Sequence, residues 1–265
     1  MEHSLTRPSE VLRNESLGSD IYRLTIMAPQ IADDARPGQF VMVQTATGQD
    51  PLLRRPFSIH QVSGSGTVQI LFKVVGRGTQ ILAETKKGAS LSVFGPLGKG
   101  FNLSSPGKNI CMIGGGMGIA PLLFLGKWLL RSGFSGNLLS LLGARNASEI
   151  NPLKEDFSHL GINPIIATDD GSTGHHGLVT QLMLKQMDPS EDWLILTCGP
   201  YPMMRGVVEI CQGMNWRCQV SMETMMACGM GACLGCAISK PNDLHSYQHV
   251  CKDGPVFDMS EIVWK

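Results

Sequence analysis

Glu223-Thr-Met-Met-Ala-Cys228-Gly-Met-Gly-Ala-Cys233-Leu-Gly-Cys236, followed at a distance by Cys251, is the stretch from which the rest of this chain is read. Four of the eight cysteines lie between Glu223 and Cys251, separated by gaps of four, two and fourteen residues. A gap of four, then two, then a distant fourth cysteine is the ligand spacing of a plant-type [2Fe-2S] cluster. Gly229, Gly231, Ala232 and Gly235 fill the loop with little or no side chain. A loop wrapped round a cluster needs backbone N–H groups close to sulfur, and glycine permits that approach. Two rival readings stand beside this one. A structural zinc usually takes two short Cys-x2-Cys knuckles, and one is present here. Disulfides need an oxidising compartment. The chain opens Met1-Glu-His-Ser-Leu-Thr-Arg-Pro8 with no apolar run of signal-peptide length, which predicts a cytoplasmic location and reduced thiols. Cys228, Cys233, Cys236 and Cys251 are therefore the candidate metal ligands.

At 265 residues the chain has room for two ordinary domains and an appendage. Hydrophobic residues make up 43% and charged residues 17%, enough apolar material for more than one core. With 22 basic and 22 acidic residues there is no net pull toward nucleic acid or an anionic membrane surface, and neither partner is expected. The longest apolar run, Ile119 to Leu130, is broken by Lys127 and is too short to cross a bilayer. The 31 glycines gather in particular loops, the pattern of ligand sites and not of a flexible linker.

Upstream, residues 11–93 read as short strands: Ile21–Met27, Gln39–Gln44, Phe57–Val62, Thr67–Val75 and Ala89–Phe94, with Arg36-Pro37-Gly38 and Ser63-Gly64-Ser65-Gly66 as turns. Strands at this spacing predict a small antiparallel barrel. Arg54-Arg55-Pro56-Phe57-Ser58-Ile59 lies within it. A guanidinium grips phosphate with two parallel bonds, and proline fixes the direction of the backbone that follows. Lys73-Val-Val-Gly76-Arg77-Gly78-Thr79 opens a predicted helix over Gln80–Lys87, with Thr79 as N-cap and free N–H groups for an anion. The plainer reading makes Arg55 a surface ion-pair partner and the glycines a hairpin turn. Taken together, the two motifs fit one diphosphate held from two sides.

Downstream of Gly95-Pro-Leu-Gly-Lys-Gly-Phe101 the period changes to alternating strand and helix. Strands are predicted at Asn109–Ile113, Asn137–Leu142, Pro164–Thr168, Trp193–Thr197 and Cys218–Ser221. Helices are predicted at Leu122–Arg131 and near 151–159, 177–187 and 201–213. This is a doubly wound parallel sheet. Gly114-Gly115-Gly116-Met117-Gly118 lacks the glycine at 119 that the usual dinucleotide fingerprint requires, but Gly114, Gly116 and Gly118 still let a backbone approach a pyrophosphate. Three further loops follow strands: Gly143-Ala-Arg145, Asp169-Asp170-Gly-Ser172 and Thr197-Cys198-Gly199-Pro200. Ligands of such sheets bind at that edge. His175 and His176 read as solvent-facing. Cys111, Cys211, Cys218 and Met183, Met187, Met203 and Met204 read as core packing.

These motifs resemble those of the ferredoxin–NADP reductase superfamily: Arg-Pro-x-Ser with Gly-x-Gly-Thr, then Gly-Gly-x-Gly-x-Ala-Pro, Gly-x-Arg and Cys-Gly-Pro. The resemblance implies FAD on Arg55, Pro56, Phe57 and Ser58, on Leu71, Phe72 and Lys73 of the next strand, and on Gly78 and Thr79. Phe57 stands where many members have an aliphatic residue, and Lys73 where many have Arg. It implies a dinucleotide on Gly114, Gly116, Gly118, Arg145, Asp170 and Gly199. It also places Cys198 at the catalytic position beside nicotinamide and flavin, where the plain alternative is a small buried residue at a strand end. Arg145 has no Ser-Arg or Lys cluster beside it, which favours NAD over NADP. The expected fold is a β-barrel plus α/β: an antiparallel FAD-binding barrel over residues 1–102, a doubly wound NAD domain over 103–220, and a small [2Fe-2S] loop domain over 221–265.

The order of these parts, Cys-Gly-x-Gly-Ala-Cys-x-Gly-Cys with its late fourth cysteine, and Asp-Asp-Gly-Ser resemble the electron-transfer subunits of NAD-linked dihydroorotate dehydrogenase over residues 8 to about 260. That family implies an FMN-containing catalytic partner that oxidises dihydroorotate, a heterotetramer of two chains of each kind, and electrons passing through [2Fe-2S] and FAD to NAD+ in pyrimidine biosynthesis. Two other functions share most of these motifs. One is a flavin subunit serving ferredoxin, polysulfide or a hydrogenase, and the other is a non-redox protein with a zinc-stapled tail.

Overall fold

The computed structural model describes residues 6–46, 48–241 and 243–264. Six strands close a barrel: β1 (Thr6–Gly18), β2 (Ile21–Met27), β3 (Phe40–Gln44), β4 (Arg55–Val62), β5 (Thr67–Lys73) and β6 (Ser90–Leu97). They join in the order β1-β2-β5-β4-β3-β6, every pair antiparallel. The alternation of β3 decides what it holds together. Val41 and Val43 point into the barrel core, whereas Phe40 and Met42 point outward into a core shared with Cys236 and Cys251. Helix α1 (Pro29–Asp34) follows β2.

Helix α2 (Arg77–Ala83) begins three residues earlier than the sequence suggests. Gly76 is the N-cap, and Thr79 is the third helical residue. The Thr79 hydroxyl reaches back one turn, accepting from the N–H groups of Val75 and Gly76 at 3.0 and 3.2 Å. The threonine therefore caps from inside the helix.

The second sheet has the order β10-β9-β8-β7-β11-β12-β15. Its strands are β7 (Asn109–Gly115), β8 (Asn137–Ala144), β9 (Ile165–Thr168), β10 (His175–His176), β11 (Trp193–Cys198), β12 (Arg217–Ser221) and β15 (Val256–Asp258). All pairs are parallel except β12–β15. Four helices cover it: α3 (Ala120–Arg131), α4 (Ala147–His159), α5 (Val179–Gln186) and α6 (Tyr201–Met214). The chain leaves β7 toward β8 on one side and returns to β11 on the other. The switch point of this order therefore lies between β7 and β11, where doubly wound sheets bind ligands.

The apolar run from Ile119 forms α3, whose residues from Ala120 to Gly126 are buried, because it lies between the sheet and the barrel. Lys127 Nζ donates to Gln61 Oε1 at 2.6 Å and to the Val62 carbonyl at 3.0 Å, and His60 Nδ1 lies 2.8 Å from the Ala120 carbonyl. Among the described residues no helix is long and apolar enough to cross a membrane. Beyond β12 the chain forms the cysteine loop, the hairpin β13 (Ala237–Lys240) and β14 (Asp243–His249), and then β15. The last strand thus stitches the cysteine segment to the edge of the nucleotide sheet.

Candidate functional site

Two cavities and one sulfur loop adjoin the ends of β7 and β11. The larger cavity, about 480 Å³, is a groove along the carboxyl ends of β7, β8 and β9, bordered among others by Gly115, Gly116, Arg145, Asp169 and Met203. Of the three glycines expected at a pyrophosphate, Gly116 alone borders it, with a φ of +52° and nothing within 4 Å of the place a Cβ would take. Gly114 and Gly118 serve packing. A Cβ on Gly114 would lie 2.9 Å from Ile119 and Leu122, and one on Gly118 would strike the Cys198 carbonyl and the Gly199 nitrogen. Gly118 thus lets the glycine turn lie directly on the Cys198–Gly199 loop. Gly199 is closed in by Met203 Cε, 2.6 Å from its virtual Cβ. Met203, expected in the core, is half-buried and packs against the core while also lining the groove; Met183, Met187 and Met204 are buried.

Charge in the groove centres on Glu149 of α4. Arg145 and Lys73 both donate to Glu149 Oε1, Lys73 at 2.8 Å. The hydrogen bond from Arg145 and the Lys73 ammonium outweigh the effect of burial and hold this carboxyl at about 2. Lys73, expected on FAD, therefore spans from the barrel to the nucleotide sheet. Asp170 is exposed, with its carboxylate turned onto Ser172 N and Oγ at 2.9 and 2.6 Å. Its neighbour Asp169 borders the groove instead.

The smaller cavity, about 170 Å³, lies between the barrel and the segment entering the cysteine loop. Phe40, Pro56, Phe57 and Ser58 form one wall, and Ser221, Met222, Glu223, Thr224 and Met226 the other. Thr224 Oγ1 is buried here with no hydrogen-bond partner among the described residues. Nearby, Arg55 lies against Gly78, so that a Cβ there would sit 3.0 Å from Arg55 Nε. The Arg-Pro-x-Ser strand and the Gly-x-Gly-Thr turn therefore meet. An unpaired polar atom in a cavity, and a guanidinium against a side-chain-free turn, suit a flat ring carrying a diphosphate. Leu71 and Phe72 are buried, Phe72 stacking on Tyr22 at 5.6 Å, which leaves their backbones as the groups able to touch a ligand. Cys198, 1% exposed, ends β11 opposite Ser221. Burial, and then the charge of Glu223, push its thiol well above the ordinary range, against an opposing bond from Ser221. It stays protonated and is no thiolate nucleophile.

The cysteine loop gathers its four thiols as two pairs. Cys236 and Cys251 Sγ are 3.2 Å apart, and Cys228 bonds to Cys233. Among the described residues no three potential ligands surround a single point. Two pairs suit two irons with two thiolates each, whereas one zinc needs a single tetrahedron. Backbone N–H groups already aim at sulfur: Gly231 at Cys251 (3.1 Å), and Met230 and Ala232 at Cys228 (3.4 and 3.3 Å). Burial opposes ionisation of Cys228, but these bonds outweigh it and lower the thiol to about 6. Gly229, at φ +73°, lies against the barrel, its virtual Cβ 2.8 Å from Met42 Cγ. Met42 pairs in register with Pro56 of the cavity wall, so the loop sits one side-chain layer from the smaller cavity.

Family models match in the same order: an oxidoreductase FAD-binding domain over residues 8–101, an oxidoreductase NAD-binding domain over 112–209, and the iron–sulfur cluster binding domain of dihydroorotate dehydrogenase B over 223–263. The electron transfer subunit of dihydroorotate dehydrogenase B (NAD(+)) from Desulforamulus reducens is 39% identical over 259 residues, covering 97% of this chain and 98% of the relative. The chain belongs to that family. A second member, from Caldanaerobacter subterraneus subsp. tengcongensis, is 37% identical over 97% of this chain and 98% of its own. Among solved structures, the NADH-dependent reduced ferredoxin-NADP oxidoreductase superposes with a TM-score of 0.84 at 27% identity, covering 100% of this chain and 92% of that one. A ferredoxin NADP+ reductase from Neisseria gonorrhoeae shares the fold at a TM-score of 0.69 and 16% identity, over 80% of this chain and 93% of its own.

The chain is thus an oxidoreductase with FAD-, NAD- and iron–sulfur-binding domains, as the spacing of its motifs implies. Sequence reasoning chose Asp170 from the loop whose Asp169 borders the groove, and it missed Glu149, Ser221, Glu223 and Thr224 as cavity residues. Glu223 begins the cysteine stretch, but nothing in its neighbours along the chain shows that it faces a cavity.

Proposed function

We propose that this chain passes electrons from an FMN-containing dihydroorotate dehydrogenase subunit to NAD+, working in the cytoplasm in a heterotetramer with that partner. The observation that carries the reading is spatial order: the smaller cavity has the cysteine loop on one side and, across Cys198 and Gly118, the dinucleotide groove on the other. Bound FAD supplies the exchange between paired electrons at nicotinamide and single electrons at an iron–sulfur cluster.

The residues divide the work. Cys228, Cys233, Cys236 and Cys251 hold the cluster. Arg55 and the turn at Gly78 and Thr79 hold the FAD diphosphate, and Pro56, Phe57 and Ser58 bound the ring. Gly116 and Arg145 receive the dinucleotide diphosphate, with Asp169 at the groove's edge. The half-buried and exposed Cys228 and Cys233 lie at the outer side of the loop, whereas Cys236 and Cys251 are buried, which suits a cluster that meets a partner at the surface.

The test is an anaerobic pull-down from native cells, assayed for NAD+ reduction driven by dihydroorotate. Activity together with a copurified FMN subunit supports the reading. A yellow-brown preparation that oxidises NADH with artificial acceptors and ignores dihydroorotate overturns the partner assignment in favour of a ferredoxin-linked role, the alternative raised by the whole-chain likeness to the ferredoxin-NADP oxidoreductase. Cys233→Ser is expected to abolish the cluster spectrum while FAD absorbance remains; loss of both means that the loop is needed to fold the barrel wall.

A further inference from the structure

NADH and a flavin exchange a hydride: a C–H bond of nicotinamide breaks, and its hydrogen and both electrons go to the flavin ring. The transfer needs the reacting atoms about 3–3.5 Å apart. The two sites lie in different domains, so that distance is set by what fastens the barrel to the nucleotide sheet. Strand β4 takes part on both sides. Its Pro56, Phe57 and Ser58 line the smaller cavity, and two residues later His60 meets the nucleotide domain.

His60 is the extra residue of a bulge. Ile59 pairs with Ile70 of β5 and Gln61 with Gln69, which leaves His60 without a partner in β5. A bulge re-aims the side chain it carries. Here the imidazole, 1% exposed, turns toward α3, and its Nδ1 lies 2.8 Å from the Ala120 carbonyl oxygen. A carbonyl only accepts, so Nδ1 carries the proton. Ala120 opens α3 directly after the glycine turn at 116–119. Within that turn Gly116 borders the groove and Gly118 rests on Cys198. Further along α3, Lys127 secures the next two residues of β4, Gln61 and Val62.

The other ring nitrogen has no such bond. Nε2 is without a hydrogen-bond partner among the described residues and lies 3.6 Å from Asp156 Oδ2 of α4, a carboxylate held by Arg23 of β2. An unpaired buried nitrogen costs stability, a cost that an apolar side chain filling the same space would not carry. Packing alone therefore does not account for a histidine here.

We propose that His60 is a positioning residue for hydride exchange: it fixes the glycine turn that receives the dinucleotide against the strand that bounds the flavin ring. It lines neither cavity and acts through Ala120 on one side and Ser58 on the other. The inference rests on the placing of FAD in the smaller cavity and of the dinucleotide at Gly116.

The experiment uses the protein loaded with FAD and its cluster. Under anaerobic conditions NADH is mixed with the wild type, H60L and H60N, and flavin bleaching is followed over a range of NADH concentrations. Leucine fills the site without a donor, whereas asparagine keeps an N–H at the place of Nδ1. In H60L, bleaching at saturating NADH is expected to slow about 10²-fold, the cost of a misplacement of about 1 Å. The half-saturating NADH concentration is expected to stay within about twofold of the wild type, because the lost bond acts on the transfer and not on binding. H60N is expected to recover most of the rate. In ¹⁵N-labelled wild type, the neutral His60 ring is expected to carry its proton on Nδ1, a result that does not depend on whether H60L folds. A wild-type rate in H60L, a raised half-saturation with an unchanged limiting rate, an H60N as slow as H60L, or a proton on Nε2 alone each overturns the proposal and leaves the flavin and NAD assignments standing. A wild type whose flavin is not bleached by NADH overturns those assignments and this inference together.

Discussion

The groove and the smaller cavity each contain a glutamate, and the two are treated in opposite ways. Glu149 sits between Lys73 and Arg145 and is held at about 2; Glu223 has no cation and is pushed up. The first joins the barrel to the nucleotide sheet through Lys73, and its charge is spent within the protein. The second lines the smaller cavity. Identical side chains, one following β8 and the other following β12, are thus displaced in opposite directions because their neighbours differ.

The largest expected effect comes from breaking the wall between the two regions. Gly118→Ala places a methyl group against the backbone of Cys198 and Gly199, where no side chain can give way. A loss of roughly 3 kcal/mol is expected in chemical denaturation. Binding at both cavities should weaken together; weakening at one alone means that the β11 end is not shared.

Glu149→Gln sharpens the contrast. Lys73 and Arg145 lose their shared anion, and because Arg145 is largely exposed the expected cost is about 1–2 kcal/mol at neutral pH. The folded carboxyl lies below its unfolded value, so the stabilisation is full above the ordinary value of 4.5 and fades as pH falls toward about 2. Wild type and E149Q should therefore converge in urea melts over that window. A gap that stays constant with pH shows that the loss is steric.

The smallest effect is expected at an exposed pair. Arg77 and Asp50 lie 2.5 Å apart but are both about two-thirds exposed. Arg77→Ala should cost less than about 1 kcal/mol, and less still in high salt. A larger loss accompanied by weaker FAD binding means that Arg77, at the start of α2, acts on the diphosphate cradle.

The sequence alone determined the order of barrel, nucleotide sheet and cysteine loop, because each carries a local signal: alternation with turn residues, glycine turns after strands, and cysteine spacing. It also named Arg55 and Gly78 for one diphosphate, and the two lie against each other in the fold. Local patterns did not reveal that Gly114 and Gly118 are packing glycines, since their neighbours Ile119 and Cys198 are set by α3 and β11. Nor could they give β15, three residues that become a strand because β12 offers an open edge. The opposite displacements of the Glu149 and Glu223 carboxyls belong entirely to the tertiary structure. A carboxyl's affinity for its proton depends on which charges and how much water surround it, and those are fixed by segments distant in the chain.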